Sequence, residues 1–366
     1  MYRERKQALR NRLRQERDAM AFIVSPVHIH YYTGFKSEPH ERFFAFIYDA
    51  KQEKTYLFLP TLDYEKAKEI AQVDELVPVS DTDDGYEVLK KVVNVDFVSL
   101  AIEKSILTVY DLEQLKAIFK NVNIIGIDEF IANERLRKSA EEISNVRKAI
   151  DITEQGLSYI VDFVKIGMTE SEIKMELEFY LQSLGAEQMA FDTLVLTGEN
   201  SALPHGVSGL NKVEQGHFLL FDFGVTVNGY HSDITRTFII GEGSQRQVEI
   251  YEAVKQANEQ AIAAAVVGQA LKNIDLAARK EIESASYGEY FIHRTGHGLG
   301  LEVHEAPSIH SENNQILKEG MLFTVEPGIY LPSLGGVRIE DDIYVDESGK
   351  VNVLSSYPKD LTYIKG

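Results

Sequence analysis

The sequence predicts an α+β protein made of two domains. The chain has 366 residues, and a domain commonly holds about 100–200 residues. Strand and helix patterns alternate in the first third, whereas from Ser139 onward the order helix, helix, strands occurs twice. Hydrophobic residues make up 44% and charged residues 26% of the chain, which is typical of a globular protein. We place the predicted domains at residues 1–132 and 133–366.

The first domain is predicted to be a small α/β domain with a mixed sheet. Helices and strands that alternate along a chain usually cover a sheet with helices. The segment Asp49-Ala50-Lys51-Gln52, between two β-rich runs, predicts a hairpin. The predicted helices are 3–20, 63–71, 86–93 and 110–119, and the predicted strands are 21–24, 43–48, 55–59, 98–102 and 122–127.

Helix N-terminal signals and one hairpin signal organise the second domain. Ser139 with Glu142, and Thr169 with Glu172, fit the capping-box pattern. The dipeptide Asn228-Gly229 is a strong short hairpin signal, so we expect 218–223 and 230–240 to pair. The predicted helices are 139–163, 169–185, 245–265 and 274–284, and the other predicted strands are 193–196, 322–326, 337–345 and 351–354.

Composition argues against several functional classes. The chain carries 57 acidic and 38 basic residues, for a formal charge of −19, which disfavours nucleic acid or an anionic membrane as the main partner. The absence of cysteine excludes disulfides, thiolate nucleophiles and thiolate zinc sites. No apolar run reaches the roughly 18 residues of a membrane span, and the charged first 16 residues do not resemble a signal peptide. We therefore expect a cytoplasmic location.

Two aspartates flank the predicted hairpin. Asp222 ends an apolar strand and Asp233 lies in its partner, so the two side chains can face the same side of the sheet. Facing carboxylates repel each other and require a compensating cation. A charge within an apolar run is also unfavourable unless it is paired or metal-bound. Taken alone, either residue is more simply explained as a strand-end carboxylate that caps a turn.

Three more residues complete a set with metal-binding chemistry. His297 lies in the glycine-rich turn Gly296–Gly300, where glycines permit close backbone approach. Glu326 and Glu340 each end an apolar strand, and Arg338 shares a face with Glu340 by strand alternation. Each feature alone has a structural explanation, but four carboxylates and one imidazole together match a ligand set for two divalent ions. The set is Asp222, Asp233, His297, Glu326 and Glu340.

The nearby segment Val303-His304-Glu305 does not continue into an HExxH motif, because residue 308 is serine. This excludes a zincin-type site.

The ordered ligand set, with Leu203-Pro204-His205-Gly206 before it and Val303-His304-Glu305 within it, resembles the metallopeptidase family of methionine aminopeptidase, aminopeptidase P and prolidase. The resemblance implies a pita-bread catalytic domain of two pseudo-symmetric halves, preceded by a creatinase-type N-terminal domain. The segment His30–Phe35 adds a likeness to bacterial Xaa-Pro dipeptidases. The implied activity is hydrolysis of the imide bond of Xaa-Pro dipeptides by a metal-bridging hydroxide.

The resemblance also implies a metal role for each member of the set. Asp222 would chelate one ion, and Asp233 and Glu340 would bridge two ions. His297 and Glu326 would complete the shell of the second ion, and Glu326 would also take the proton of the bridging water. The implied cofactor is two divalent metal ions, Mn²⁺ first, with Co²⁺, Fe²⁺ or Zn²⁺ as alternatives.

Substrate contacts are implied in the same way. His205 and His304 would contact a small Xaa-Pro peptide and stabilise the tetrahedral intermediate. Arg338 would hold a carboxylate or the substrate, and Phe191 would line the proline pocket. The family also suggests a homodimer.

One position departs from the pattern. Some prolidases carry an arginine four residues after the histidine that matches His304, where it can read the carboxylate of the dipeptide, and this chain has Ser308. We expect the missing cation to come from Arg294 or from the loop 37–42, which includes Arg42. A lid over the site, including that of a neighbouring subunit, is one interpretation of this loop, and a solvated turn is the other.

Three other functions remain open. Aminopeptidase P, which removes the N-terminal residue from longer Xaa-Pro peptides, shares every metal ligand. Creatinase has the same fold but needs no metal, which the complete ligand set disfavours. A non-catalytic binding protein of the same fold is the third alternative.

Overall fold

Two units make up the chain, Met1–Glu134 and Arg135–Gly366. The computed structural model describes residues 1–17 and 19–365. The boundary predicted from the sequence lies two residues before this division. In the described part of the chain, no helix combines the length and apolar character needed to cross a membrane.

The first unit contains a six-stranded mixed sheet, as the sequence predicts. Its helices are α1 (Tyr2–Gln15), α2 (Pro26–Thr33), α3 (Tyr64–Ile70), α4 (Gly85–Val92), α5 (Val109–Ile118) and α6 (Asp128–Arg135). Its strands are β1 (Met20–Ile23), β2 (Ala45–Asp49), β3 (Lys54–Pro60), β4 (Glu75–Val79), β5 (Ser99–Ile102) and β6 (Asn123–Gly126). In the order β4-β3-β2-β1-β5-β6, the pairs β1–β2 and β2–β3 are antiparallel and the others are parallel.

The first unit differs from the prediction in its first helix and in three elements that were not predicted, which are α2, α6 and β4. The first helix ends at Gln15 rather than at residue 20, because the apolar residues of β1 are fully buried in the sheet. Burial in tertiary structure outweighs helical pattern here. Helix α2 was not predicted, although Ser25 caps it, Pro26 begins it and Gly34 ends it at φ 76°. These are ordinary start and stop signals for a short helix.

The second unit repeats one arrangement of two helices followed by strands. Its helices are α7 (Ala140–Phe163), α8 (Glu170–Ser183), α9 (Gln245–Ala263) and α10 (Lys272–Ser284). The strands after α8 are β7 (Gln188–Met189), β8 (Leu194–Thr197), β9 (Phe218–Phe223), β10 (Val225–Val227), β11 (Tyr230–His231) and β12 (Ile234–Ile240). The strands after α10 are β13 (Gly296–Gly298), β14 (Glu305–Ile309), β15 (Leu322–Val325), β16 (Gly328–Leu331), β17 (Gly335–Arg338), β18 (Asp341–Val345), β19 (Val351–Val353) and β20 (Tyr363–Ile364).

The strands of the second unit form four sheets. Their orders are β11-β10-β7, β20-β12-β9-β8, β14-β13-β15-β18-β19 and β16-β17. Both predicted capping boxes are present, at Ser139 with Glu142 and at Thr169 with Glu172. The predicted architecture, a pita-bread domain after a smaller α/β domain, is confirmed.

Alternation along β9 determines which face carries Asp222. Leu219, Phe221 and Phe223 are buried in the core that α7 and α8 form with the sheet. Successive side chains of a strand point to opposite faces. Asp222, which lies between two of these core residues, therefore faces away from the helices.

The predicted strand 230–240 is interrupted at Ser232 and Asp233, and the prediction of one continuous strand is wrong. The Asn228-Gly229 turn does join β10 and β11. Ser232 Oγ then accepts a hydrogen bond from the Val225 N–H (3.1 Å). A Cβ at Gly224 would lie 1.8 Å from the Ser232 carbonyl oxygen, so only glycine allows this close crossing. Asp233 falls at the interruption, immediately before β12.

The predicted strand 337–345 is also divided, between β17 and β18, which belong to different sheets. The intervening backbone finds other partners. The Ile339 carbonyl accepts from Asn258 Nδ2 (3.3 Å), and the Glu340 N–H donates to the Thr235 carbonyl (3.1 Å). Glu340 therefore lies in the short segment that links two sheets and not inside a strand.

A buried ion pair joins the two halves of the second unit, which are its two repeats of two helices followed by strands. The pair lies next to the segments that carry Asp233 and Glu340. Arg236, 1% exposed, donates from Nη2 to Asp341 Oδ1 (2.8 Å) and from Nη1 to the Glu340 carbonyl (2.5 Å). Burial by itself would raise the pKa of Asp341, but Arg236 and Lys359 lower it. The pair therefore fixes β12 of the first half to β18 of the second.

Replacing Arg236 by methionine should lower the free energy of unfolding by about 3–5 kcal/mol, because Asp341 keeps its charge in a buried site and loses its main partner. Urea denaturation of the full chain measures this. The matched control is Arg246→Met, which removes an exposed arginine and should change stability by less than about 0.5 kcal/mol. Equal effects of the two substitutions would contradict the structural role of the pair.

Candidate active site

Three of the five predicted ligands converge closely. One ligand atom from each of Asp233, His297 and Glu340 lies within 4.8 Å of the other two, and all three residues are buried. His297 Nε2 is 3.6 Å from Asp233 Oδ2 and 3.3 Å from Glu326 Oε1. Glu326 therefore borders the group of three through His297. Asp222 forms an ion pair with Arg338 beside this group.

The conformation of His297 is fixed by its strand, not by a glycine-rich turn as the sequence suggested. It lies in β13, between β14 and β15. Cβ atoms at Gly296 and Gly298 would lie 1.9 Å and 2.1 Å from carbonyl oxygens of those neighbours, so the glycines permit the central position of β13. His297 Nδ1 is 3.2 Å from the Gly298 carbonyl. With a cation bound, a proton on Nδ1 would leave the Nε2 lone pair free to act as a ligand; without one, a protonated His297 donates from Nε2 to the carboxylates.

Arg338 connects the remaining carboxylates. Its Nη2 forms an ion pair with Asp222 Oδ2, and its Nε donates to Thr235 Oγ1 (3.0 Å). The Thr235 hydroxyl in turn donates to Glu340 Oε2 (2.6 Å). Asp222 Oδ1 is buried and has no hydrogen-bond partner among residues 1–17 and 19–365. One acceptor oxygen at the edge of the cluster thus has no donor among the described residues.

Electrostatics shows an excess of buried negative charge. Burial, followed by the charges of Glu340 and Asp222, raises the pKa of Asp233 well above its usual range. Burial and then the charges of Glu326 and Asp222 do the same for Glu340. Burial also raises the pKa of Asp222, although Arg338 opposes it. Protonation or a bound cation relieves such a cluster.

Glu326 behaves differently from the other three acids. Burial works to raise its pKa, but the hydrogen bond and charge of His297, followed by His293 and Arg338, lower it to about 2. Glu326 is therefore the acid that stays ionised. The donor set of four carboxylates and one imidazole, with a leftover buried oxygen, fits divalent metal ions.

A cavity of about 630 Å³ opens over the cluster, a size common for small-ligand sites. The predicted substrate residues His205, His304, Phe191 and Arg294 all line it. The His304 ring stands edge-on to His297, with centroids 4.2 Å apart. Burial and then the charges of His297 and Arg294 lower the pKa of His304, which favours a neutral imidazole.

Arg294 lies beside Ser308, the position at which the sequence departs from some prolidases. Its Nη1 lies 3.2 Å from Ser308 Oγ, so the guanidinium stands next to the position where those enzymes carry arginine. The loop 37–42 belongs to the first unit, and Arg42 pairs there with Asp81 (2.8 Å). The role of that loop as a lid stays a prediction.

Several supporting residues were not predicted from the sequence. Thr235 lies two residues after Asp233 and could have been found by strand alternation. Glu305, next to His304, is held by Arg135 and Lys138, which are far away in sequence. Tyr330 accepts from Arg338 Nη1 (2.9 Å), and no local pattern pointed to it.

Two family models match the chain. Residues 144–347 match metallopeptidase family M24, and residues 5–137 match the creatinase/prolidase N-terminal domain. An uncharacterized peptidase of Staphylococcus aureus is 42% identical over 346 residues, which cover 94% of this chain and 96% of that protein.

Solved structures of two named peptidases are similar over nearly the whole chain. A Xaa-Pro dipeptidase from Bacillus anthracis has a TM-score of 0.91 at 33% identity and covers 99% of this chain and 100% of its own. An X-Pro aminopeptidase from Thermotoga maritima has a TM-score of 0.87 at 34% identity, with 96% and 100% covered. The likeness is about equal to both. With the two domain matches, it shows that the chain belongs to metallopeptidase family M24 and is a prolidase-like hydrolase.

Proposed function

We propose that the protein is a metal-dependent dipeptidase that hydrolyses the imide bond of Xaa-Pro dipeptides. The convergence of Asp233, His297 and Glu340 within 4.8 Å, beneath a cavity whose lining includes His205, His304 and Arg294, carries this proposal. Asp222 and Glu326 would complete the set that holds two divalent ions, with Mn²⁺ as the first candidate. A cytoplasmic homodimer is part of the same proposal.

The residues of the cavity suit the chemistry of a Xaa-Pro bond. This bond is a tertiary amide without an N–H, so a peptidase cannot recognise it through that donor. A divalent metal pair supplies Lewis-acid polarisation of the carbonyl and a lowered pKa for the attacking water. Ionised Glu326 would accept the proton of that water. His205 and His304 would donate hydrogen bonds to the developing oxyanion, each worth about 2.7–4 kcal/mol.

Arg338 would act by holding its neighbours in place, since its guanidinium is engaged by Asp222, Thr235 and Tyr330. Arg294 is a cation of the cavity wall that is available for a substrate carboxylate, because its contact with Ser308 is to a neutral hydroxyl. Phe191 would pack against the proline ring. A dipeptide would thus be held at one end by the contact of its own carboxylate with Arg294. The cluster of buried acids would hold the other end.

Aminopeptidase P is the second candidate. The similarity to the Thermotoga maritima X-Pro aminopeptidase favours it as much as the dipeptidase structure favours the first. The two functions differ in whether the site accepts residues beyond proline.

Cleavage of Leu-Pro and Leu-Pro-Gly should separate the two functions. We expect hydrolysis of Leu-Pro and at least tenfold slower cleavage of Leu-Pro-Gly, because Arg294 would bind the free carboxylate of proline. We also expect activity to be lost after chelation and to return with Mn²⁺. The measurement is kcat/KM for each peptide before and after chelation. Preference for Leu-Pro-Gly would establish aminopeptidase P, and activity that survives chelation would contradict metal dependence. No cleavage of either peptide after metal is restored would favour a binding protein.

Arg294 should govern recognition of the carboxylate. Replacing Arg294 by glutamine should raise KM for Leu-Pro by at least tenfold, which corresponds to about 1.4 kcal/mol. The same change should leave cleavage of Leu-Pro amide nearly unaffected, because that substrate has no carboxylate. The double variant Arg294→Gln with Ser308→Arg should recover a low KM for Leu-Pro, since the two positions are adjacent. Equal losses with the acid and the amide would contradict this role.

A further inference from the structure

One buried carboxylate outside the cavity holds the loop that carries His205. Glu170, in the first turn of α8, is fully buried. Its Oε1 accepts from the Thr197 N–H (2.7 Å) and from Asn200 Nδ2 (2.9 Å). Its Oε2 accepts from the Gly209 N–H (2.9 Å), from Asn211 Nδ2 (3.2 Å) and from the same Asn200 amide (3.0 Å).

The donors enclose His205 in the sequence. Thr197 and Asn200 precede it, and Gly209 and Asn211 follow it, so one side chain closes both ends of the segment 197–211. Asn200 Nδ2 also donates to the Val207 carbonyl (3.2 Å), inside the loop. A buried carboxylate attached to both ends leaves the loop little freedom to change the position of its histidine.

The backbone of α8 adds to this attachment. The Glu170 N–H donates to the Asn211 carbonyl (3.0 Å), and the Ser171 N–H donates to the Gly209 carbonyl (3.0 Å). The loop therefore satisfies N–H groups at the start of the helix, where the helix dipole also favours the carboxylate. The described part of the chain offers Glu170 no ion pair. Its charge is thus stabilised by hydrogen bonds from the loop itself.

We propose that Glu170 is a positioning residue that fixes His205 at the wall of the cavity. This proposal rests on the function proposed above, in which His205 contacts the substrate. Of the described residues, those that line the cavity include His205 and its neighbours but not Glu170. Glu170 therefore acts through the loop and has no direct contact with substrate.

The chemistry of the donors explains why a carboxylate is required. Every partner of the side chain is an N–H group, and a carboxylate is acceptor-only when ionised. Glutamine has nearly the same shape but would turn an NH₂ group toward these donors. At least one end of the loop would then lose its bond, and the buried N–H left behind would favour a rearranged loop.

The test is a double-mutant cycle with a matched control, using the metal-loaded full chain and Leu-Pro. Glu170→Gln should lower kcat by about 10- to 100-fold, the range expected when a catalytic group is displaced by about 1 Å. Bound metal per chain should stay unchanged. Glu172→Gln, on the same helix turn, removes an exposed carboxylate that accepts hydrogen bonds from Thr169 and should leave kcat unchanged.

The cycle distinguishes positioning from general support of the fold. His205→Ala alone should lower kcat by about 100- to 1000-fold, and adding Glu170→Gln to it should have no further effect, because the histidine that Glu170 positions is already gone. Additive losses, unchanged kcat in Glu170→Gln alone, or loss of metal in that variant would each overturn the proposal. His205→Ala could also keep full activity while hydrolysis still requires metal. That result would contradict the proposed roles of His205 and Glu170 but would leave the proposal of metal-dependent hydrolysis intact.

A second variant serves if Glu170→Gln does not fold. Asn200→Ala removes two hydrogen bonds to the carboxylate and one to the loop but leaves Glu170 in place. It should also lower kcat, by a smaller factor, and should also have no effect in the His205→Ala background. Normal kcat in Asn200→Ala would overturn the proposal.

Discussion

The concentration of buried negative charge between the two halves of the second unit is the constraint on which the rest of the site depends. Asp233 and Glu340 are almost fully buried, and burial together with neighbouring carboxylates raises the pKa of each. Folding brings these groups together against their repulsion, so the surrounding structure must hold them, and protonation or a bound cation must relieve the repulsion. The hydrogen bonds of Arg338 and Thr235 and the interruptions in two strands follow from this requirement.

The strand interruptions show how the fold meets the constraint. Regular strands place alternate side chains on opposite faces, and their alternation alone would not bring acids from four separate chain segments together. The crossing at Ser232, made possible by Gly224, places Asp233 beside His297. The crossing between β17 and β18 does the same for Glu340, whose backbone carbonyl is held by Arg236. The ion pair of Arg236 with Asp341 thus stabilises the backbone next to the site, although neither residue belongs to the site.

The two halves contribute different chemistry. The first half supplies Asp222, Asp233 and the loop with His205, and the second half supplies His297, Glu326 and Glu340 with His304 and Arg294. On each side a buried acid outside the group of ligands holds the segment of a histidine. Glu305 is clamped by Arg135 and Lys138 next to His304, and Glu170 is surrounded by N–H donors around the loop of His205. Both histidines that are proposed to contact the substrate are therefore carried by segments that are anchored by buried carboxylates.

The sequence predicted the fold well where local signals and burial agree. The capping boxes at Ser139 and Thr169 and the turn at Asn228-Gly229 are local, and the structure contains them. The sequence could not predict the interruption at Asp233, because it depends on Gly224 passing close to the Ser232 carbonyl. The strand that carries His297 was also missed, since its glycines read as a turn when their neighbours β14 and β15 are unknown. In the sequence Glu170 is an ordinary acid in a first helical turn, and its role is proposed only because of its hydrogen-bond partners, which lie up to 41 residues away.

Removing one of the repelling charges tests the central claim most directly. Melting temperatures of chelated and Mn²⁺-loaded protein should be compared for the wild type and for Glu340→Gln. In the chelated state we expect Glu340→Gln to melt at least about 2 °C higher, which corresponds to about 1 kcal/mol for a unit of this size, because an amide relieves the repulsion. With Mn²⁺ the order should reverse, because the wild type gains more stability from binding the ion. A chelated wild type that melts above the variant, or no stabilisation of the wild type by divalent ions, would contradict the account.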